Sequence, residues 1–369
     1  MQTTIMHTLR SKVIRKCYWL KHYVYGTKAD FSIDDARQIL DNYSPNPNTS
    51  CYVCESRILK NQKKYDCSII IPTYNNESYL EKCLESVRTQ ETGYKVQVIV
   101  VNDGSTDGTM KILAPYENIK GWTVVHQANK GHSGARNAGL DLVQGKYIMF
   151  VDSDDELTQG AVNCLLKKAF ECTADIVAGN YIYDYVVTKR LREIRKHTES
   201  KVMPKGVLSG FPWGKVYASH LFANLRFPEK FWFEDSINAQ IVYALAKEVY
   251  TISDIVYKYR INPQGISGSS IGNPKAIDSL YITEALLDDK AKFDLKLDPD
   301  DLSYFLRMVR LTYNRTCICS VEIAKCIFVM QRDLYSRFKG IDLVDKSDSD
   351  LEKALKEGNF RGYLKAIVK

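Results

Sequence analysis

Apolar residues fall into two patterns along this chain, and the patterns change at about residue 66. From there short apolar runs alternate with amphipathic stretches. Cys67 to Pro72, Val96 to Val101, Trp122 to His126, Lys146 to Val151 and Asp175 to Asn180 read as strands. Between them Glu77 to Thr89, Asp107 to Leu113, Ser133 to Val143 and Thr158 to Cys172 read as helices, the first with Leu80, Leu84 and Val87 on one face. This β–α alternation predicts an α/β fold, a mostly parallel sheet with helices on both faces. Past Ile261 the pattern is helical: Lys275 to Lys292, Asp301 to Asn314, Val321 to Phe338 and Ser349 to Glu357.

Before residue 66 the pattern is different. Thr8 to Gly26 is basic and aromatic with no acid, and Leu9, Val13, Tyr18 and Leu20 share part of a helical face. Two readings stay open: a helix lying on a membrane surface, or a helix packed on its own domain. A short helix is expected at Ile33 to Tyr43, and the Ser-Pro-Asn-Pro-Asn-Thr-Ser run at 44–50 breaks the chain. The expected organisation is an extension and linker over 1–65, an α/β domain over 66–270 and a helical region over 271–369.

The chain has 369 residues, 45% hydrophobic and 26% charged, the composition of an ordinary globular protein. Its net charge of +7 is spread along the chain without a basic recognition motif, which argues against nucleic acid. No apolar run approaches the ~18–20 residues of a membrane helix, and no signal peptide is visible, so the cytoplasm is the expected compartment. Ten cysteines occur, including Cys51-Tyr52-Val53-Cys54. A structural zinc site would want a second close pair, and the next candidates, Cys67 and Cys83, lie in core elements.

Polar motifs follow the strands, where open α/β sheets bind ligands. After the first comes Pro72-Thr73-Tyr74-Asn75-Asn76, in which Tyr74 can stack on a planar base. After the second comes Asn102-Asp103-Gly104-Ser105-Thr106-Asp107, where Asp103 can accept from a base N–H or a ribose hydroxyl. Asn129-Lys130-Gly131-His132-Ser133-Gly134-Ala135-Arg136-Asn137 places a glycine loop at a helix start, a setting suited to anions. The fourth strand runs into Asp152-Ser153-Asp154-Asp155. If strand geometry persists one step, Asp152 and Asp154 point the same way, and a hard divalent cation between them relieves their repulsion.

Together these motifs resemble the family-2 glycosyltransferases, which have the GT-A fold; the resemblance covers about residues 66 to 270. It implies a nucleotide-sugar donor, UDP by preference, held by Pro72, Tyr74, Asn75, Asp103, Gly131 and Arg136, with Asp152 and Asp154 binding ribose and a divalent metal, Mn²⁺ or Mg²⁺. Further on, Phe231-Trp232-Phe233-Glu234-Asp235 matches the family's Glu-Asp pair. The resemblance implies Asp235 as the base for the acceptor hydroxyl, with Glu234 orienting the acceptor. Trp213-Gly214-Lys215-Val216-Tyr217 resembles a family segment with Asn in place of Gly214. Tyr257-Lys258-Tyr259-Arg260, followed by Ile266-Ser267, resembles a segment near the diphosphate; Arg260 suits phosphate oxygens and Ser267 joins it.

The implied activity is a metal-dependent inverting transfer to a glycan or lipid-linked saccharide acceptor in cell-surface polysaccharide synthesis. A membrane contact at the inner face of the cell membrane suits the basic N-terminus. The helical tail is left three uses: completing the acceptor site, forming a homo-oligomer or touching the membrane. Two other classes compete. A non-catalytic nucleotide-sugar or glycan-binding module on the same scaffold would not need both the Asp pair and Glu234-Asp235. A sugar nucleotidyltransferase would carry a glycine-rich basic signature after the first strand, where this chain has Pro72-Thr73-Tyr74-Asn75.

Overall fold

The structure is a computed structural model that describes residues 15–26, 28–54, 63–186, 188–261 and 270–368. The chain forms two compact units, Thr49–Asn262 and a second made of Met1–Asn48 with Pro263–Lys369. This division differs from the one read in the sequence, because the N-terminal segment belongs with the C-terminal helices rather than standing apart.

The unit Thr49–Asn262 is built on ten strands: β1 (Tyr65–Thr73), β2 (Val96–Asn102), β3 (Trp122–His126), β4 (Gly145–Phe150), β5 (Glu156–Leu157), β6 (Ile176–Tyr185), β7 (Arg190–Ile194), β8 (Ser200–Lys201), β9 (Lys215–Ala218) and β10 (Val249–Ile261). They form one sheet in the order β3-β2-β1-β4-β9-β6-β10-β5, with β7 on β6 and β8 on β10. The β3-β2-β1-β4 half is parallel throughout. Successive strands β1, β2 and β3 step in one direction, and β4 then lies on the other side of β1. That reversal opens a crevice at the carboxyl ends of β1 and β4, where α/β sheets take ligands.

The strands form where they do because β1, β2 and β4 are apolar runs buried on both faces. Helix Leu80–Arg88 covers one face with Leu80, Cys83, Leu84 and Val87. Helix Gly131–Asp141 approaches β1 so closely that a Cβ on Gly139 would sit 2.5 Å from Ile70 Cγ2. The strand expected near Tyr257–Arg260 belongs to the much longer β10, which lies inside the sheet, parallel to β6 and antiparallel to β5. Cys51 is buried and Cys54 exposed, and neither forms a disulfide among the described residues.

The second unit is helical. Residues 15–25, Ile33–Tyr43, Asp278–Lys290, Pro299–Thr316, Val321–Tyr335, Ser349–Glu357 and Phe360–Ile367 are its main helices. Capping sets several starts: Ser32 and Ser320 accept from the third residue on, and Asp298 with Asp301 forms a capping box. The basic N-terminal helix packs on its own unit. His22 is buried between the Tyr313 hydroxyl and the Cys319 carbonyl, and Trp19 Nε1 donates to the Leu364 carbonyl at 2.7 Å. Its outward side keeps Leu20, Val24 and Tyr25 exposed. No helix among the described residues is long and apolar enough to cross a membrane.

Candidate active site at the strand ends

The crevice is framed by loops that hold one another. After β1, Asn75 adopts a left-handed backbone (φ 46°) that aims its N–H at Ser105 Oγ (2.9 Å) and its Oδ1 at the Thr106 N–H (2.7 Å). Asn76 Nδ2 donates to Ser153 Oγ at 2.9 Å, tying this loop to the acidic one. Asp103 is buried at the end of β2, accepting from Gln127 Nε2 (2.7 Å) and from the Lys130 N–H (2.9 Å). Pro72 sits in the last turn of β1, and Tyr74 just beyond it is 49% exposed, an open ring at the mouth. Gly131, with φ +77°, begins its helix in a conformation that favours glycine.

Arg136 is buried at the centre. One guanidinium nitrogen donates to Asp152 Oδ1 at 2.8 Å and the other to Glu234 Oε1. Burial pulls its pKa down, but Asp152 and Glu234 more than offset this and hold the cation firmly charged. The expected donor contact therefore gives way to a different setting: the guanidinium is committed to two carboxylates, with its plane 5.3 Å over the Phe227 ring. It joins the motif after β4 to the Glu-Asp motif more than 80 residues later. His132 Nδ1 lies 3.9 Å from the same Glu234 oxygen.

The acidic loop after β4 divides its work. Asp152 faces Arg136. Asp155 is fully buried, accepting from the Tyr257 hydroxyl (2.9 Å) and the Arg260 N–H (2.7 Å). The same Tyr257 hydroxyl also accepts from the Asp152 N–H at 3.0 Å. Asp155 is thus a strap from the loop to β10. Asp154 carries no ion pair among the described residues, and burial, then Asp152, pushes its carboxyl pKa up. Two neighbouring carboxylates, one of them disfavoured as a charge by burial and by the other, offer the hard oxygens that suit a divalent cation. The described residues include no cluster of three or more candidate ligands, so such an ion would take further oxygens from a diphosphate or water.

Arg260 is buried as well. Nη2 contacts Glu156 Oε1 at 2.7 Å, Nη1 donates to the Asp154 carbonyl, and the guanidinium lies 4.4 Å over the Tyr79 ring. These contacts tie it to the acidic loop. Ser267 lies outside the described residues.

Glu234 and Asp235 form a turn before a helix with a π-helical section at Asn238–Val242. Glu234 is buried and Asp235 half-buried. Asn238 Nδ2 holds this turn, donating to the Asp235 carbonyl (3.2 Å) and the Gly210 carbonyl (2.8 Å). Behind it Lys215 is buried, its Nζ donating to Phe211 O (2.8 Å), Ser209 Oγ (3.2 Å) and Trp213 O (3.3 Å). Burial lowers the Lys215 pKa to about 7, and Asp235 offsets part of that.

Sequence reasoning gave no role to Asp155, the Tyr257 hydroxyl, Asn238 or Lys215. A period-2 reading of Tyr257-Lys258-Tyr259-Arg260 offered a signal for Tyr257. For Lys215 the signal was a lone cation inside the aromatic run Phe211–Tyr217.

A fold of this kind, with carboxylates at the switch point, belongs to the GT-A class of nucleotide-sugar enzymes. The model of glycosyl transferase family 2 matches residues 68–230. Glycosyltransferase GlyG of Streptococcus pneumoniae is 30% identical over 52% of this chain and 70% of its own length. The chain belongs to glycosyl transferase family 2. Glycosyltransferase GlyA of the same species is 35% identical, the match covering 54% of this chain but 31% of GlyA. The putative glycosyltransferase EpsH of Bacillus subtilis is 30% identical, with 62% of its length covered. The fold is shared with S. aureus TarS 1-349, solved in complex with UDP-GlcNAc, at a TM-score of 0.64 and 20% identity, covering 82% of this chain and 90% of that one.

Proposed function

We propose that the protein is a metal-dependent inverting glycosyltransferase that moves a sugar from a UDP-sugar to a hydroxyl of a glycan or lipid-linked saccharide acceptor in cell-surface polysaccharide synthesis. The observation that carries the reading is the buried relay Asp152–Arg136–Glu234, which sets the acidic loop and the Glu-Asp turn in one site. The UDP preference is supported by the TarS complex with UDP-GlcNAc. Work at the inner face of the cell membrane belongs to the same proposal.

In this reading Asp152 and Asp154 would hold a divalent cation, which would supply charge neutralisation for the departing diphosphate. Tyr74 stacks on the uracil and Asp103 receives the nucleoside. Arg136 pairs with Asp152 and fixes Glu234 Oε1, so Glu234 orients rather than abstracts. Asp235 accepts the proton of the acceptor hydroxyl as its oxygen attacks the anomeric carbon opposite the leaving group. Arg260 and Tyr257 keep the acidic loop rigid, so that its carboxylates need not reorganise during transfer.

The test is Asp235→Asn, assayed for UDP binding by thermal shift and for UDP-sugar turnover. Turnover is expected to disappear while UDP binding persists. Near-normal turnover in the variant would remove Asp235 from the role of base.

A further inference from the structure

The segment Ser209–Trp213 has no regular secondary structure, yet all five of its carbonyls are capped by side chains. Tyr243 Oη donates to Ser209 O, Asn238 Nδ2 to Gly210 O (2.8 Å), Lys215 Nζ to Phe211 O (2.8 Å) and Trp213 O (3.3 Å), and Tyr217 Oη to Pro212 O (3.0 Å). Loop carbonyls ordinarily face water. Here four buried side chains supply the donors, Lys215 serving two carbonyls, so the backbone is tied along the whole segment. It also lies against the proposed base: Asn238 bridges it to the Asp235 carbonyl at 3.2 Å, and a Cβ on Gly210 would stand 3.9 Å from that oxygen.

What this rigid segment presents is a ring. Tyr257, Trp213 and Phe211 form a column, with Trp213 4.6 Å from Tyr257 at 5° and 4.7 Å from Phe211 at 9°. Tyr257 closes the inner end, where its hydroxyl meets the acidic loop. Trp213 is buried, and Phe211 is the half-buried outer ring with Tyr259 6.0 Å away at its side. Pairing these carbonyls satisfies backbone that is out of reach of bulk water, and it also fixes the half-buried Phe211 ring beforehand, which spares the ordering cost on association.

We infer that Ser209–Trp213 is a preformed acceptor shelf, and that the outer face of Phe211 is the stacking surface for a pyranose ring of the acceptor glycan beside Asp235. A pyranose offers an apolar C–H face and a rim of hydroxyls, which suits a flat ring on a segment that Asn238 ties to the Asp235 main chain. The position separates this surface from the nucleoside, because Tyr74 follows β1 whereas the shelf joins β9. The inference rests on the transferase reading for its choice of occupant.

The experiment measures binding of methyl glucopyranoside, methyl galactopyranoside and methyl N-acetylglucosaminide by saturation-transfer NMR in the presence of UDP and Mg²⁺. It compares the full chain with Phe211→Ala and Phe211→Tyr, and follows the UDP-induced thermal shift in parallel. At least one glycoside is expected to bind, weakened roughly tenfold or more by Phe211→Ala and within about threefold of the parent in Phe211→Tyr. The UDP shift is expected to be the same in all three. The shelf is overturned if no glycoside binds the parent, if Phe211→Ala binds as the parent does, or if Phe211→Tyr loses as much as Phe211→Ala. A UDP shift lost only in Phe211→Ala would also overturn it, by showing damage beyond the shelf. A parent that binds glycoside through Phe211 but gives no UDP shift sinks the transferase reading and leaves the shelf standing.

Discussion

Replacing Lys215 by methionine separates two effects of burying a cation. The methionine leaves the Phe211 and Trp213 carbonyls without their donor, at roughly 1–3 kcal/mol each. It also removes the cost of burying a charge, which is of similar size, so the sign of the change at one pH decides nothing. The pH dependence does. Burial takes the Lys215 pKa from 10.5 to about 7, against a partial pull upward from Asp235. His197, whose own pKa is lowered by burial and then by Lys215, is the other titrating neighbour. Between pH 7 and 10.5 the unfolded chain therefore holds a proton that the folded chain has released. Stability rises with pH wherever the unfolded state binds more protons. Integrated over that window, the parent gains about 2 kcal/mol relative to Lys215→Met between pH 7 and 9, and only about 0.4 kcal/mol between pH 6 and 7. The assay is denaturant unfolding of both proteins at pH 6, 7, 8 and 9, taking the difference so that other groups cancel. A flat difference would refute the reasoning, since it would mean that the ammonium stays charged in the fold and that Asp235 holds it there.

Three more outcomes follow from the same contacts. Arg136→Met strands Asp152 and Glu234 in a buried site and is expected to cost about 3–5 kcal/mol by chemical denaturation, whereas a loss under ~1 kcal/mol would mean the relay is loosely held. Tyr257→Phe removes the hydroxyl shared by Asp155 and the Asp152 N–H and should destabilise by roughly 1–3 kcal/mol, with UDP affinity falling as the acidic loop loosens; unchanged affinity would detach the loop from Tyr257. Asp154→Asn is expected to abolish the metal dependence of UDP binding in a calorimetric titration, and an unaltered metal requirement would count against its role.

The β–α half of the fold was legible because β1, β2 and β4 are apolar runs buried on both faces and its longer helices have one apolar stripe. The stretch between Asn180 and Val249 was not. There β7, β8 and β9 are short and mixed in polarity, and Lys215 opens a four-residue strand that periodicity cannot detect. The helix Phe360–Ile367 escaped notice, although Asn359 caps it, because it starts two residues after Gly358 ends its predecessor. The motifs after β1, β2, β3 and β4 were legible as a set, since each stands at or beyond the end of a strand. Their partners were not. Nothing in local sequence says that Arg136 spans from Asp152 to Glu234, or that Arg260 turns to Glu156 and the Asp154 carbonyl. Such pairings are decided by long-range register: β4 beside β1 sets the acidic loop over the helix that carries Arg136.

The most direct test of the account is a thermal-shift and hydrolysis screen of the purified chain against UDP-, GDP-, dTDP- and CMP-sugars, with Mn²⁺ or with EDTA. The account predicts stabilisation by UDP-sugars alone, lost in EDTA, with slow release of UDP from one of them. Stabilisation that persists in EDTA, or a response to no nucleotide sugar at all, would contradict it.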